Sequence, residues 1–278
     1  MKFLQFYDNN KAPHLGIKLD SGIADLSTTE GLPHTMLELC REKEPTKVLA
    51  KIGDYCNKLS PADLLREESI KIAPVITGME KIVCIGLNYI KHAEECHPGQ
   101  PLPTEPTVFA KFGNAIAAHG EDVPLPTSQK VDYEAELVLI MGEGGSIFAY
   151  TTGNDLSARD WQNATSQWIC GKTYDKFAPI GPYAVNVDAL PNKHLAIECR
   201  VNGELRQSDF IDQMIFTPEQ IVGYLMPRIP LKAGDIIFTG TPSGVMLGYP
   251  EDKKNWLKSG DIVEISIEEI GTLRNRLV

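Results

Sequence analysis

From about residue 81 to its end, the chain is a succession of short apolar or alternating runs, each closed by Gly, Pro or Asn. This density of strand signals constrains the fold more than any other feature. The runs cover residues 82–87, 107–112, 133–141, 147–152, 183–187, 195–201, 235–239 and 262–267. Asn202-Gly203 between two of them has the composition of a type I′ hairpin turn. Only two helices carry strong signals in this region. One follows Ser157 and covers 158–168; the other starts at Thr217, where Pro218 at the first helical position and Gln220 at the third complete a capping box. Many strands, few helices and no strict strand–helix alternation exclude a doubly wound sheet and predict a β-rich α+β fold.

The first 72 residues read differently. Three short strand-like runs (2–7, 15–19, 22–26) precede two helical segments (35–40 and 47–59), and the charged, Pro-punctuated stretch 60–74 suggests a boundary near Ile72. The expected organisation is a small N-terminal α+β domain, 1–72, followed by a larger domain, 73–278. At 278 residues the chain can bury a sizeable core without covalent help.

Lys and Arg number 27 against 37 Asp and Glu, a net charge of −10, and no basic stripe interrupts the excess. Such a surface repels phosphate backbones, so nucleic acid is excluded as a general partner while metal ions stay open. No run reaches the ~18 apolar residues of a membrane helix, and 1–11 reads as neither signal nor transit peptide. Six scattered cysteines without a CxxC pair fit idle thiols in a reducing cytoplasm.

The most informative segment is Val131-Asp132-Tyr133-Glu134-Ala135-Glu136-Leu137-Val138-Leu139. In a continuous strand Asp132, Glu134 and Glu136 share one face. If that strand is half buried, the repulsion is relieved by a divalent cation on hard oxygen ligands; if it is an edge, the acids are simply solvated. Asp155, just before the expected helix, either supplies a third carboxylate or acts as an ordinary N-terminal acid, with Arg159 and Gln162 on the helical face nearby. His92 and Glu95, three apart, meet on one helical face, where the carboxylate can fix the imidazole for proton transfer; a surface His beside a Glu is the plainer alternative. The Pro-rich stretch 97–106 behind them reads as a flap. Lys172 could neutralise an oxyanion, and the turn Gly240-Thr241-Pro242-Ser243-Gly244-Val245 offers backbone N–H groups but lacks the lysine of a nucleotide loop.

Together these segments resemble the fumarylacetoacetate hydrolase family across residues 81–278. The resemblance rests on Cys84-Ile85-Gly86-Leu87-Asn88-Tyr89 with His92 and Glu95, Asp132 to Leu137, Asn154-Asp155 with Ser157 to Gln162, Gly171 to Pro182, Val201 to Glu204, Gly240 to Val245 and Leu257 to Asp261. It implies a mixed β-sandwich roll, a homodimer, and Mg2+ or Mn2+ held by Glu134, Glu136 and Asp155. It further implies His92 and Glu95 as a water-activating dyad, Arg159, Gln162 and Lys172 as groups that receive enolate or oxyanion charge, and Lys111 and Thr241 near the substrate carboxylate. Asp132 lies outside the family's ligand set, so the strand-face argument counts one acid too many. The 142–149 connector is shorter than relatives usually carry.

The activity this implies is metal-dependent hydrolysis of a C–C bond in a small anionic 1,3-diketo acid of the acylpyruvate or fumarylpyruvate type. The stretch from Gln167 to Pro182 leans toward the diketo-deoxy-sugar-acid hydrolase branch. Oxaloacetate decarboxylation, or isomerisation and decarboxylation of aromatic ring-cleavage products, is the alternative at the same site. A non-catalytic metal-binding member is the alternative of another class, and it would take the cation but release no product.

Overall fold

A computed structural model describes all 278 residues, Met1–Val278. Its backbone is an eleven-stranded sheet packed on a five-stranded one, with a two-stranded ribbon between Val131–Asp132 and Ser157–Ala158. Along the large sheet the order is Gly22–Asp25, Pro13–Leu19, Lys2–Tyr7, Ala178–Asn186, Ile147–Asn154, Ala135–Met141, Ile236–Phe238, Ile82–Gly86 and Thr107–Lys111. The smaller sheet runs Glu204–Phe210, Ala196–Val201, Ile262–Ile267, Gly271–Leu277 and Asp122–Val123.

The central strand Ala135–Met141 explains the layering. All seven of its residues are buried, because alternate side chains enter two different cores. Leu137, Leu139 and Met141 pack toward Ile197, Val263 and Ile265 of the smaller sheet. Val138 and Ile140 join Met36, Leu39 and Ile52 from the N-terminal helices Met36–Cys40 and Pro45–Cys56. The molecule is thus helices on sheet on sheet, a mixed sandwich of the expected β-rich class. The first 72 residues, expected as a small domain, do not close their own sheet: Lys2–Tyr7 pairs with Ala178–Asn186 and extends the large one.

Local expectations meet the structure unevenly. Thr217 caps the helix Pro218–Leu225 through a complete capping box with Gln220. Asn202 and Gly203 both take positive φ, 52° and 81°, as a type I′ turn requires. Of the helix expected over 158–168 only one turn, Arg159–Gln162, forms, and a second single turn, Ile169–Lys172, follows it. The polar link between them folds back, and the turns meet at Gly171, where a Cβ would stand 2.4 Å from the backbone nitrogen of Gln162; only glycine permits that approach. The strand expected to run unbroken through 131–139 also breaks at Tyr133–Glu134, into Val131–Asp132 and Ala135–Met141. The short 142–149 connector is one tight turn, with Gly144 and Gly145 at φ 69° and 77°. No helix is long and apolar enough to cross a membrane.

Candidate active site

The break at Tyr133–Glu134 creates the site. Where the backbone leaves the ladder, Asp132 turns away from Glu134 and Glu136. Its carboxylate accepts hydrogen bonds from the backbone N–H groups of Tyr133, Met246 and Leu247 and from Arg159 Nε (2.9 Å). Asp132 therefore orients Arg159 and lies outside the acidic cluster. Glu134, Glu136 and Asp155 do converge: each offers an oxygen within 4.8 Å of the others, and all three are buried.

Three cations offset these acids. Lys172 Nζ bridges Glu134 Oε2 at 2.5 Å and Asp155 Oδ2 at 2.7 Å. Arg159 donates to Glu134 Oε1 (2.7 Å) and, through Nη1, to Gln162 Oε1 (2.9 Å). Lys111 Nζ stands 2.7 Å from Asp155 Oδ1. Burial alone would raise the pKa of Glu134, but Arg159 and Lys172 hold it well below the usual carboxylate range. Glu136 goes the other way: burial and the charges of Asp155 and Glu134 push it well above that range, while Gly240 N–H, at 2.7 Å from its Oε2, pulls back.

Four buried carboxylates, Asp132 included, face three buried cations, so the cluster has room for added positive charge. Lys111 approaches Asp155 Oδ1 off the line a hydrogen bond needs, which leaves that buried oxygen without one. An all-oxygen, anionic, buried donor set with an unsatisfied carboxylate oxygen fits a hard divalent cation such as Mg2+ or Mn2+.

The helix Ile90–Cys96 forms the opposite wall. His92 is buried, and its Nδ1 lies 3.3 Å from Glu95 Oε2. Glu95 in turn accepts from Gly244 N–H at 3.1 and 3.2 Å. Burial would lower the His92 pKa, but its hydrogen bonds with Cys96 and with the accepting carboxylate of Glu95, and the nearby Glu134 charge, raise it to about 9. The two walls enclose a cavity of about 380 Å3, lined by His92, Glu95, Glu136, Arg159, Gln162 and Thr241, among others. Gln162 spends its carbonyl on Arg159, which leaves its amide N–H groups for a ligand. Phe109 and Trp168, edge to face at 5.4 Å, give the cavity an apolar side.

Of the ten residues singled out from the sequence, nine line this cavity. Lys111 does not. Its ammonium is fully buried behind the cluster and donates to the carbonyls of Leu156 (3.0 Å), Phe177 (2.7 Å) and Lys172, so it fixes Asp155 instead of meeting a substrate carboxylate. Two residues that shape the site, Gln207 and Asn88, had no role assigned from the sequence. Gln207 reaches from the smaller sheet to Thr241 Oγ1 (2.8 Å), Pro242 O (2.8 Å) and Ala135 N (3.0 Å). Asn88 ties Thr239 O (2.7 Å) to Phe216. The available signal was a polar side chain at an inward position of the alternating strand Glu204–Phe210. Gly240, at φ 98° and with Asn88 Cβ only 2.7 Å from where its own Cβ would be, allows the turn to present its N–H to Glu136.

This fold and this cavity define a class. Residues 81–278 match the fumarylacetoacetate (FAA) hydrolase C-terminal family, and the chain belongs to it. Among its relatives is a mitochondrial oxaloacetate tautomerase of Bos taurus, 39% identical over 100% of this chain and 92% of that protein. The fold is similar to a fumarylacetoacetate hydrolase of Exiguobacterium antarcticum (27% identity, TM-score 0.79, 100% and 99% of the two chains). It is also similar to a 5-carboxymethyl-2-hydroxymuconate delta-isomerase of Mycobacterium smegmatis (25% identity, TM-score 0.75, 100% and 98%).

Proposed function

We propose that this enzyme moves a proton between carbon and oxygen of a small 2-oxo dicarboxylate, interconverting the enol and keto forms of an oxaloacetate-like acid. The observation that carries the reading is the cavity itself, where one oriented imidazole faces a carboxylate cluster ringed by Arg159, Gln162 and Lys172. Tautomerisation needs one proton carrier and a place for enolate charge, and both are present. A divalent cation held by Glu134, Glu136 and Asp155 supplies, when bound, Lewis-acid polarisation of the 2-oxo group.

The chain's own residues do the rest. Nδ1–H of His92 donates to Glu95, which aims Nε2 into the cavity. His92 is raised toward its charged form, so the imidazolium gives its proton to the enol carbon while the enol O–H proton, released as the carbonyl forms, restores the imidazolium; the reverse reaction runs the same two transfers backwards. Arg159 and the Gln162 amide receive charge on the oxygen, Thr241 Oγ1, fixed by Gln207, meets a carboxylate, and Phe109 with Trp168 keeps water from the carbon. The full-length relative named as an oxaloacetate tautomerase supports this substrate class. C–C hydrolysis of an acylpyruvate is the second reading. It is favoured by the same dyad whenever His92 is neutral and can deprotonate a water, which addition of a cation beside Glu134 promotes by opposing its charge.

The test is to follow decay of enol-oxaloacetate absorbance with and without Mg2+ or Mn2+, alongside pyruvate release from oxaloacetate and cleavage of acylpyruvates. Accelerated enol decay without pyruvate release is expected. Acylpyruvate cleavage or pyruvate release in the absence of tautomerisation overturns the proposal in favour of the hydrolase or decarboxylase. Six unpaired thiols fit the cytoplasm and a mitochondrial matrix alike. A homodimer is proposed on family grounds.

A further inference from the structure

On the helix Ile90–Cys96, His92, Glu95 and Cys96 occupy positions i, i+3 and i+4 and share one face. Their donor atoms all lie within 4.8 Å of one another, and all three residues line the cavity. In a tetrahedral zinc site, with Zn–N about 2.0 Å and Zn–S about 2.3 Å, neighbouring donor atoms stand roughly 3.3 to 3.6 Å apart. Here His92 Nδ1 is 3.3 Å from Glu95 Oε2, and Cys96 Sγ is 3.7 Å from His92 Nδ1. The sulfur is also 3.8 Å from Nε2, so it sits over the ring and must swing toward the plane of Nδ1, a rotation about its own Cα–Cβ bond. Gly244 N–H already orients Glu95, as a carboxylate ligand requires.

We propose that His92, Glu95 and Cys96 form a second cation site, selective for Zn2+-like ions, with its fourth position open to the cavity. Donor chemistry separates it from the carboxylate cluster across the cavity. Three oxygens suit a hard cation, whereas nitrogen, oxygen and thiolate suit a borderline one. Binding releases the His92 Nδ1 proton and the Cys96 thiol proton to solvent, so affinity rises with pH. With the ion on Nδ1, the imidazole keeps its proton on Nε2 and no longer serves as a base, so occupancy inhibits proton transfer. That consequence rests on the function proposed above; the binding itself does not.

The experiment saturates the protein with Mg2+ and then titrates Co2+ as a spectroscopic stand-in for Zn2+. A thiolate-to-cobalt charge-transfer absorption that saturates at one equivalent and is displaced by Zn2+ is expected. Cys96→Ser should abolish the band and weaken Zn2+ binding at least about tenfold. Cys170→Ser removes the exposed thiol and should leave the band unchanged. On the unmutated protein, Zn2+ should protect Cys96, and not Cys170, from alkylation mapped by mass spectrometry, a readout that stands even where a variant fails to fold. No band, a band that survives Cys96→Ser, a band lost with Cys170→Ser, or unprotected Cys96 overturns the site.

Discussion

On one side of the cavity, six buried charged groups hold each other through ion pairs of 2.5 to 2.9 Å, anchored on strands, on the residues beside them or on the turns that pack at Gly171. On the other side, a seven-residue helix holds the His92 ring through its own Glu95 (3.3 Å) and Cys96 (3.7 Å), and it is followed by a Pro-rich stretch without regular structure. The first wall is over-determined and defines where charge can sit. The second is held by fewer contacts and, in the function proposed, carries the proton. Mutations should therefore cost stability on the first wall and rate on the second.

The largest effect tests the first half of that contrast. Lys172→Met strips the ammonium shared by Glu134 and Asp155 and leaves four buried carboxylates facing only Arg159 and Lys111, a class of change that costs about 3–5 kcal/mol. Chemical denaturation should show the midpoint falling by that amount, with partial recovery on adding Mg2+. A midpoint within about 0.5 kcal/mol of the parent would mean that the buried network is not what holds this wall. His92→Ala tests the second half. Loss of a positioned proton carrier lowers kcat by roughly 10²–10⁴, while cation affinity measured by calorimetry should stay at the parent value. A large fall in affinity would tie the two walls together.

Next in size is removal of the cation. If the three carboxylates bind it, Mg2+ or Mn2+ at 100 times Kd should raise stability by about 2.7 kcal/mol, seen as a higher Tm that chelation reverses. Glu136→Gln should abolish the cation-dependent rise. It should change the metal-free protein little, since burial and the charges of Asp155 and Glu134 already push Glu136 toward its neutral form. A Tm rise that persists in Glu136→Gln places the cation elsewhere.

The two walls were also unequally legible in the sequence. Glu134, Glu136 and Asp155 could be found because alternating acids that run into an apolar strand are anomalous on their own. Strand periodicity then over-counted, since nothing local shows that the ladder breaks at Tyr133 and sends Asp132 toward Arg159 and the 246–247 backbone. Lys111 misled for a related reason. A lysine ending a strand looks free until three carbonyls from distant segments close on it. Gln207 is 72 residues from Ala135, and its role exists only once the smaller sheet docks on the larger. The β-rich class survived because it depends on many short signals. The 158–168 helix failed because Gly171 folds the chain back by a close approach no helical pattern encodes.

The smallest effect concerns His92 alone, and its sign follows from linkage. In metal-free protein its pKa is raised from 6.5 to about 9 on folding, so the folded state binds this proton more tightly than the unfolded chain. The stability it contributes is fully present below about pH 6.5 and is lost as pH rises through about 9. Glu134 works at the other end: its pKa is depressed on folding, so its contribution is present above the ordinary carboxylate range and is lost as pH falls. The difference in unfolding free energy between the parent and His92→Gln should therefore shrink between pH 6.5 and 9, while the difference for Glu134→Gln stays flat there and shrinks only in acid. Saturating Mg2+ should flatten the His92 profile as well, because a cation beside Glu134 opposes the charge that helps hold the imidazole proton. If the His92 difference is flat across the alkaline range without metal, the imidazole does not sense the opposite wall, and the two sides of the cavity act independently.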